Sequence, residues 1–265
     1  LHSDTHSFPT RRSSDLNYRR LFTDPDYWRA LWHTLFLAAG SLVIQMPLAL
    51  ALAALVTRRF RGRSLVRAGF FLPVLMPTSA VALIWVFMID NPNVVNDALG
   101  ATGLEALRYP WLAGPVDGGT LRAEWTAMAS LLVVVSWKYV GFHMMLFVAG
   151  IESIPEEIYE AARLDGAGAW RTFRYITLPL LRRVLIISIT LSVIGSLKYF
   201  DIVWVMTGGD GPFSHATDLM ATYMYRTAYG SSARLHLAAA AAVTILAVCL
   251  VGFGLTRLLR REVRS

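Results

Sequence analysis

Five long apolar segments constrain what this chain can fold into more than any other feature. They lie at residues 31–56, 65–89, 126–151, 184–206 and 235–256. At about 1.5 Å per helical residue, each can cross a hydrocarbon core of roughly 30 Å with some tilt. The sequence therefore predicts an all-α, polytopic transmembrane helical bundle, in which Pro47, Pro73 and Pro77 are expected to kink the spans.

The distribution of arginines predicts how this bundle is oriented in the membrane. Three polar stretches hold at least four arginines each, and they follow the first, third and last spans. The two alternate stretches hold two each, Arg108 and Arg122 in one and Arg226 and Arg234 in the other. Because basic loops are retained in the cytoplasm, we expect the C-terminus to be cytoplasmic. The net charge of +7 is explained in this way and gives no reason to expect a nucleic-acid partner.

The first sixteen residues differ in character from the rest of the chain. Residues 6–16, HSFPTRRSSDL, read like a translated sequencing-library adapter. We expect residues 1–16 to be a non-native or disordered segment, with a short native tail as the alternative. The transmembrane domain is then residues 17–265. Five spans that end in the cytoplasm must begin outside it, so we expect six spans in the natural protein, with the first helix lost here.

A polar loop, residues 152–181, interrupts the apolar segments and is too charged to lie in lipid. Ser153 and Glu156 are spaced as a capping box, with Pro155 in the first turn of the helix that follows. That helix is expected to stop at Gly166, and a second short helix is expected over residues 169–176. The pattern is typical of a helix–turn–helix that another protein contacts, and a solvated connection between spans is the alternative.

Several residues of the polar loop match a known family in identity and in spacing. They are Glu160-Ala161-Ala162, Asp165-Gly166-Ala167, Phe173, Ile176 and Leu178-Pro179. Together they resemble the EAA loop of the membrane subunits of bacterial binding-protein-dependent ABC importers. Arg182 and Arg183 depart from the pattern, since many of these loops have a second proline there.

The resemblance implies a type I-like permease of the bacterial inner membrane, with a cytoplasmic coupling helix. That helix would dock in a groove of a cytoplasmic ATPase. The docking residues would be Glu160, Ala161, Ala162, Asp165, Gly166 and Ala167. The implied partners are a second permease subunit, two cytoplasmic ATPase subunits and an extracytoplasmic substrate-binding protein, all assembled in the lipid bilayer.

A second set of residues resembles the carbohydrate branch of these importers at the exit and loop of its fifth helix. The set is Lys198-Tyr199-Phe200-Asp201, Thr207 to Pro212, Thr217 and Tyr223-Met224-Tyr225. Asp210 is a departure, because family members usually have glycines that run straight to the proline. This resemblance implies a carbohydrate or a related polyol as the substrate.

Polar and aromatic residues within the spans are candidates for a substrate pathway. They are Lys138, Tyr139, His143, Tyr199 and Trp204. Ionisable groups in a bilayer usually face a cavity or a partner, and aromatic rings offer faces on which sugar rings stack. Lys198 and Asp201, three residues apart, could form an ion pair on the next span. The alternatives are an interhelical hydrogen bond for His143 and, for Lys198 and Asp201, side chains that reach the interface.

The sequence lacks the signatures of an enzyme. The GxxxxGK[ST] pattern does not occur, so ATP would be used by partner subunits and no cofactor is expected on this chain. No catalytic or metal-binding residues are predicted, and the lone Cys249 lies in an apolar segment. The rival interpretation is an ion-gradient-driven secondary transporter or a channel, which would leave the structured polar loop without a role.

Overall fold

The computed structural model describes residues 11–58, 60–90, 94–112, 120–208, 216–231 and 233–261. Within these ranges all regular structure is helical, as predicted. The α-helices are α1 Arg11–Thr23, α2 Pro25–Gly40, α3 Met46–Val56, α4 Arg63–Leu75, α5 Thr78–Ile89, α6 Val94–Ala101, α7 Thr120–Glu152, α8 Glu156–Leu164, α9 Ala169–Thr172, α10 Leu178–Leu180, α11 Arg182–Leu197, α12 Asp201–Thr207, α13 Met220–Tyr229 and α14 Leu235–Arg261. Two π-helical segments, Ser41–Gln45 and Phe173–Thr177, and a 3₁₀ turn, Glu105–Leu107, complete the described elements.

Two of the sequence predictions fall wholly or partly outside these ranges. Residues 1–10 of the predicted N-terminal segment lie outside the described residues, whereas residues 11–16 form the first part of α1. Asp210 and most of the glycine-containing loop around it also lie outside them.

Four described helical stretches are long and apolar enough to cross a membrane. They are Pro25–Val56, Thr78–Ala101, Arg122–Glu152 and Leu235–Gly254. The pair Ala169–Leu180 and Arg182–Leu197, bent by 68°, makes a fifth if it is counted as one span. The predicted polytopic helical bundle is therefore confirmed.

The prolines have different effects on the helices of the first and second predicted spans. In the first, the π-helical segment Ser41–Gln45 shortly precedes Pro47, and the helix continues through it. The second is two helices, α4 and α5, because Met76 and Pro77 adopt extended backbone, with ψ angles of 141° and 137°. Proline lacks an N–H and disfavours the helical conformation of the residue before it. The helix is therefore interrupted completely at Pro77, where only a kink was expected.

The apolar segment predicted as a span over residues 184–206 is not one continuous helix. Helix α11 ends at Leu197, and α12 starts at Asp201 after a break at residues 198–200. Asp201 lies in the first turn of α12, where the helix dipole favours a carboxylate. Helix α11 packs against α14 and α2, whereas α12 packs against α5.

Helix α7 lies at the centre of the bundle. Of its most apolar stretch, 67% is buried, compared with 28% or less for the other three candidate spans. Helices α3 and α4 pack against it. The approach of α4 is closest at Gly141, where a Cβ atom would lie 1.8 Å from the carbonyl oxygen of Phe70. This glycine allows the two backbones to touch.

The end of the bundle away from the polar loop, called here the distal end, is held by buried polar contacts. The His33 ring lies 2.8 Å from Glu124 Oε1 and 3.0 Å from the carbonyl oxygen of Asp218. The Tyr223 hydroxyl donates to Asp24 at 2.7 Å. These contacts join α2, α7 and α13, and they explain the position of a helix that the sequence pattern did not predict.

Candidate functional site

The polar loop begins where Ser153 closes the end of α7. Its hydroxyl donates to the carbonyl oxygen of Gly150 at 2.7 Å, and its N–H donates to that of Ala149. The predicted capping box is therefore wrong, because Ser153 is already bonded to the preceding helix. Pro155 is the N-cap of α8, and Glu156 and Glu157 in the first turn stabilise that end through the helix dipole.

The predicted helix stop at Gly166 is confirmed. Gly166 has φ +71°, in the left-handed region that glycine adopts at little cost. Its N–H donates to the carbonyl of Arg163, and the N–H of Ala167 donates to that of Ala162. This pair of bonds is a Schellman motif, which satisfies the last carbonyls of α8 and fixes the direction in which the chain leaves it.

Most of the predicted docking residues lie on the exposed side of α8 and its C-terminal turn. Glu160, Ala161, Asp165 and Gly166 are exposed, and Ala167 is half-buried. Ala162 is the exception, because it is only 5% exposed and therefore packs within the protein. On the inner side of α8, the Tyr159 hydroxyl lies 3.3 Å from Thr177 Oγ1 and connects α8 with the second half of the loop.

Large apolar side chains also project from the polar loop, and the sequence interpretation did not include them. Leu164 is 89% exposed, and Trp170 and Tyr175 are each 72% exposed. The indole of Trp170 lies beside the ring of Phe173, with centroids 6.0 Å apart. Apolar side chains displayed among charges are typical of a protein-binding surface. Leu164 and Trp170 were the sequence signal for this surface, because a loop that contacts only solvent rarely contains such large apolar residues.

Arg67 connects the polar loop to two other elements of the bundle. Its Nη2 atom donates to Glu152 Oε1, in the last residue of α7, at 2.6 Å. The same atom donates to the carbonyl oxygen of Val56, at the end of α3, at 3.1 Å. Arg67 therefore joins the end of α7, where the polar loop begins, directly to α3 and α4.

A cavity of about 510 Å³ separates the end of α3 from the polar loop. Thr57 and Arg58 line one side, and Tyr159, Arg163 and Phe173 line the other. The loop is thus held to the bundle at its edges and leaves open space beneath it. This arrangement gives α8 room to move relative to α3.

The structure places the candidate pathway residues in two aromatic groups. Tyr139 and Tyr199 stack with ring centroids 5.9 Å apart. Trp204 belongs to a second group, 5.4 Å from Phe200 and 4.9 Å from Tyr225. Both groups involve the chain around the break between α11 and α12.

The two ionisable candidates have protein partners. Lys138 Nζ donates to the carbonyl oxygens of Pro73 and Met76. His143 Nδ1 lies 2.6 Å from Ser188 Oγ and so connects α7 with α11. Among the described residues, no group of three or more His, Cys, Asp or Glu side chains is arranged to hold a metal ion.

Comparison with known families identifies the kind of protein. Residues 45–265 match the family of binding-protein-dependent transport system inner membrane components. The chain belongs to this family. It is therefore a multi-pass membrane component of a transport system rather than a member of an enzyme family, and the rival interpretation as an ion-gradient-driven transporter is not supported.

Individual relatives agree with this family membership. The chain is 30% identical to the lactose transport system permease protein LacF of Rhizobium radiobacter over 89% of this chain and 77% of that one. It is 32% identical to the trehalose/maltose transport system permease protein MalF of Thermococcus litoralis over 83% and 71%. A crystal structure of a bacterial alginate ABC transporter, in complex with an alginate pentasaccharide-bound periplasmic protein, has a chain that superposes with a TM-score of 0.80. That chain is 26% identical, and the match covers 94% of this chain and 83% of that one. The type I-like permease fold is thereby confirmed.

Proposed function

We propose that this permease moves a carbohydrate or a related polyol, delivered by an extracytoplasmic binding protein, and that partner subunits supply the energy from ATP. Relatives named for lactose and for trehalose/maltose transport support the substrate class. The similarity to a transporter of the polysaccharide alginate supports it further.

The proposed assembly contains a second permease subunit and two cytoplasmic ATPase subunits, with the polar loop and the C-terminus on the cytoplasmic side. The observation that most supports this assembly is the set of contacts and exposed side chains of α8. It is a helix closed by a Schellman motif that displays Leu164, Glu160 and Ala161 outward, and Tyr159 joins it inward to Thr177. The end of α7 that precedes it is joined to α4 by the Arg67–Glu152 pair. Such an element binds a partner on one side and passes movement to the spans on the other.

In the proposed mechanism, ATP-driven closure of the ATPase subunits displaces α8 and the end of α7. Because Arg67 bonds both Glu152 and the carbonyl of Val56, the displacement reaches α3 and α4 together. The spans then change between inward-facing and outward-facing arrangements as packed units. The role of this chain is mechanical, and the chemistry of ATP hydrolysis belongs to its partners.

Replacing Leu164 tests the docking surface. We expect Leu164→Glu to reduce co-purification of the ATPase subunit by about tenfold, because a charge replaces an apolar contact that a partner would bury. The matched control is Leu104→Glu, an exposed leucine at the distal end. Quantitative pull-down from membranes, with permease levels held equal, measures the effect. Equal retention of the ATPase subunit by both variants would show that Leu164 is not part of the docking surface.

The stacked pair Tyr139 and Tyr199, together with Trp204, is the part of the predicted pathway that we retain in the proposal. We expect Tyr199→Ala to raise the KM for uptake about three- to tenfold, because a stacking partner of a sugar ring is lost. Trp32→Ala is the control, since Trp32 is 65% exposed on α2. Initial rates of uptake of labelled substrate by cells measure the effect, and an unchanged KM would exclude Tyr199 from the pathway.

A further inference from the structure

We propose that Lys138 is a positioning residue that sets where the distal halves of two broken spans lie during transport. These halves are α5 and α12, called here the distal unit. The inference rests on the proposed transport function. In this proposal Lys138 acts by bonding backbone carbonyls of the protein and not by binding the substrate.

Lys138 is bonded at the first break, between α4 and α5. The residue is only 2% exposed, and its Nζ atom lies 2.8 Å from the carbonyl oxygen of Met76 and 3.2 Å from that of Pro73. Pro77 has no N–H, so it cannot give the Pro73 carbonyl the bond that a continuing α-helix would make, and the N–H of Met76 donates to that carbonyl at 3.4 Å instead. The last carbonyls of α4 are also the negative end of its dipole, and an ammonium inside a membrane needs such acceptors.

Tyr139, the next residue of α7, contacts the second break. Its ring stacks on Tyr199, which lies in the break between α11 and α12. Two consecutive residues of the central helix therefore touch the points where both halves of the distal unit join the rest of the chain.

The distal unit and its surroundings differ in how firmly they are held. Helix α4 is fixed to α7 by the backbone contact at Gly141. Helices α5 and α12 pack together, and their buried side chains share one apolar cluster with the distal half of α7. Apolar contacts permit sliding, whereas hydrogen bonds to defined carbonyls fix a position. Lys138 bonds the end of α4 and Met76, one of the two extended residues of the hinge, so it fixes the point from which α5 leaves.

The first experiment compares Lys138→Met and Lys138→Arg with Lys198→Met as the matched control, because Lys198 is an exposed lysine at the other break. The complete transporter is reconstituted in proteoliposomes. We expect Lys138→Met to lower the maximal uptake rate about tenfold without changing the apparent affinity for the loaded binding protein. Lys138→Arg should recover part of the rate, because a guanidinium also donates to carbonyls. A normal maximal rate in Lys138→Met, or an equal loss in Lys198→Met, would overturn the proposal.

Distances within the protein give a second readout that general destabilisation does not imitate. Spin labels at Phe87 on α5 and Val133 on α7, both well exposed, report the position of the distal unit in a Cys249→Ser background. We expect the distance distribution to broaden or shift in Lys138→Met and to stay unchanged in Lys198→Met. An unchanged distribution in Lys138→Met would contradict the positioning role.

A double variant keeps the proposal testable if Lys138→Met fails to assemble. Pro77→Ala restores the missing N–H, so α4 can continue into α5 and the freed carbonyls find backbone partners. We expect Lys138→Met with Pro77→Ala to assemble but still to transport slowly, because the hinge is lost. Normal uptake by the double variant would show that the break has no role. The docking measurement with Leu164→Glu is independent, so failure of the ATPase assignment and failure of this inference are distinguishable.

Discussion

Gly166→Val is expected to abolish most substrate uptake while the permease still inserts and still recruits its ATPase subunit. Gly166 has φ +71°, a conformation that costs a residue with a Cβ atom roughly 1–2 kcal/mol and a β-branched residue more. Apart from its two chain neighbours, no atom of the described residues lies within 4 Å of the position that the new Cβ would take, so the penalty is backbone strain rather than collision. The Schellman motif is lost, and α8 no longer transmits force as a fixed unit.

The chain offers a matched control two residues away. Gly168 also has open space around it, but its backbone is extended, with φ −68° and ψ 164°. Valine adopts this conformation readily, so Gly168→Val is expected to leave uptake within about twofold of the parent protein, and Gly166→Val to lower it about tenfold or more. Equal uptake by the two variants would show that the left-handed turn is not needed.

Gly141→Val is expected to prevent accumulation of folded permease. A Cβ atom at this position would lie 1.8 Å from the carbonyl oxygen of Phe70 and 2.4 Å from its carbonyl carbon. Both are backbone atoms, which cannot rotate away, so α4 and α7 must separate. Overpacking of a core typically costs about 1–3 kcal/mol, and a forced separation of two backbones lies at or above the upper end of that range. Membrane levels and the thermal unfolding midpoint of a fluorescent fusion measure the loss.

Gly195→Ala is the control for this second prediction. Gly195 lies inside α11, and no atom of the other elements that the structure describes lies within 4 Å of the position that a Cβ atom would take there. Alanine is favoured over glycine in a helix by roughly 1 kcal/mol, so this variant is expected to be at least as stable as the parent protein. A Gly141→Val protein with an unchanged unfolding midpoint would contradict the close contact of α4 and α7.

Features that depend on local sequence were predictable. The all-helical bundle follows from apolar segments of sufficient length, and the stop of α8 follows from a glycine placed where the helix must end. Ser153 shows the limit of local reasoning. A serine between two helices can cap the one that follows or close the one that precedes, and only the contact with Gly150 decides between them.

Features that depend on distant contacts were not predictable from one sequence. Pro77 indicated a kink, but a complete break is stable because Lys138, 62 residues after Met76, supplies donors to the carbonyls that the break frees. The position of α13 depends on contacts with His33 and Asp24 from the other end of the chain. In the polar loop, the family resemblance drew attention to Glu160 and Ala161, whereas the structure adds Leu164 as a highly exposed apolar side chain.

The most direct test of the central claim is the number of ATP molecules hydrolysed per substrate molecule imported, measured in the same proteoliposomes for the parent transporter, Gly166→Val and Gly168→Val. If the polar loop couples the ATPase subunits to the spans, the ratio rises sharply in Gly166→Val and stays at the parent value in Gly168→Val. An unchanged ratio in Gly166→Val, with hydrolysis and uptake falling together or not at all, would contradict the assignment of α8 as the coupling element.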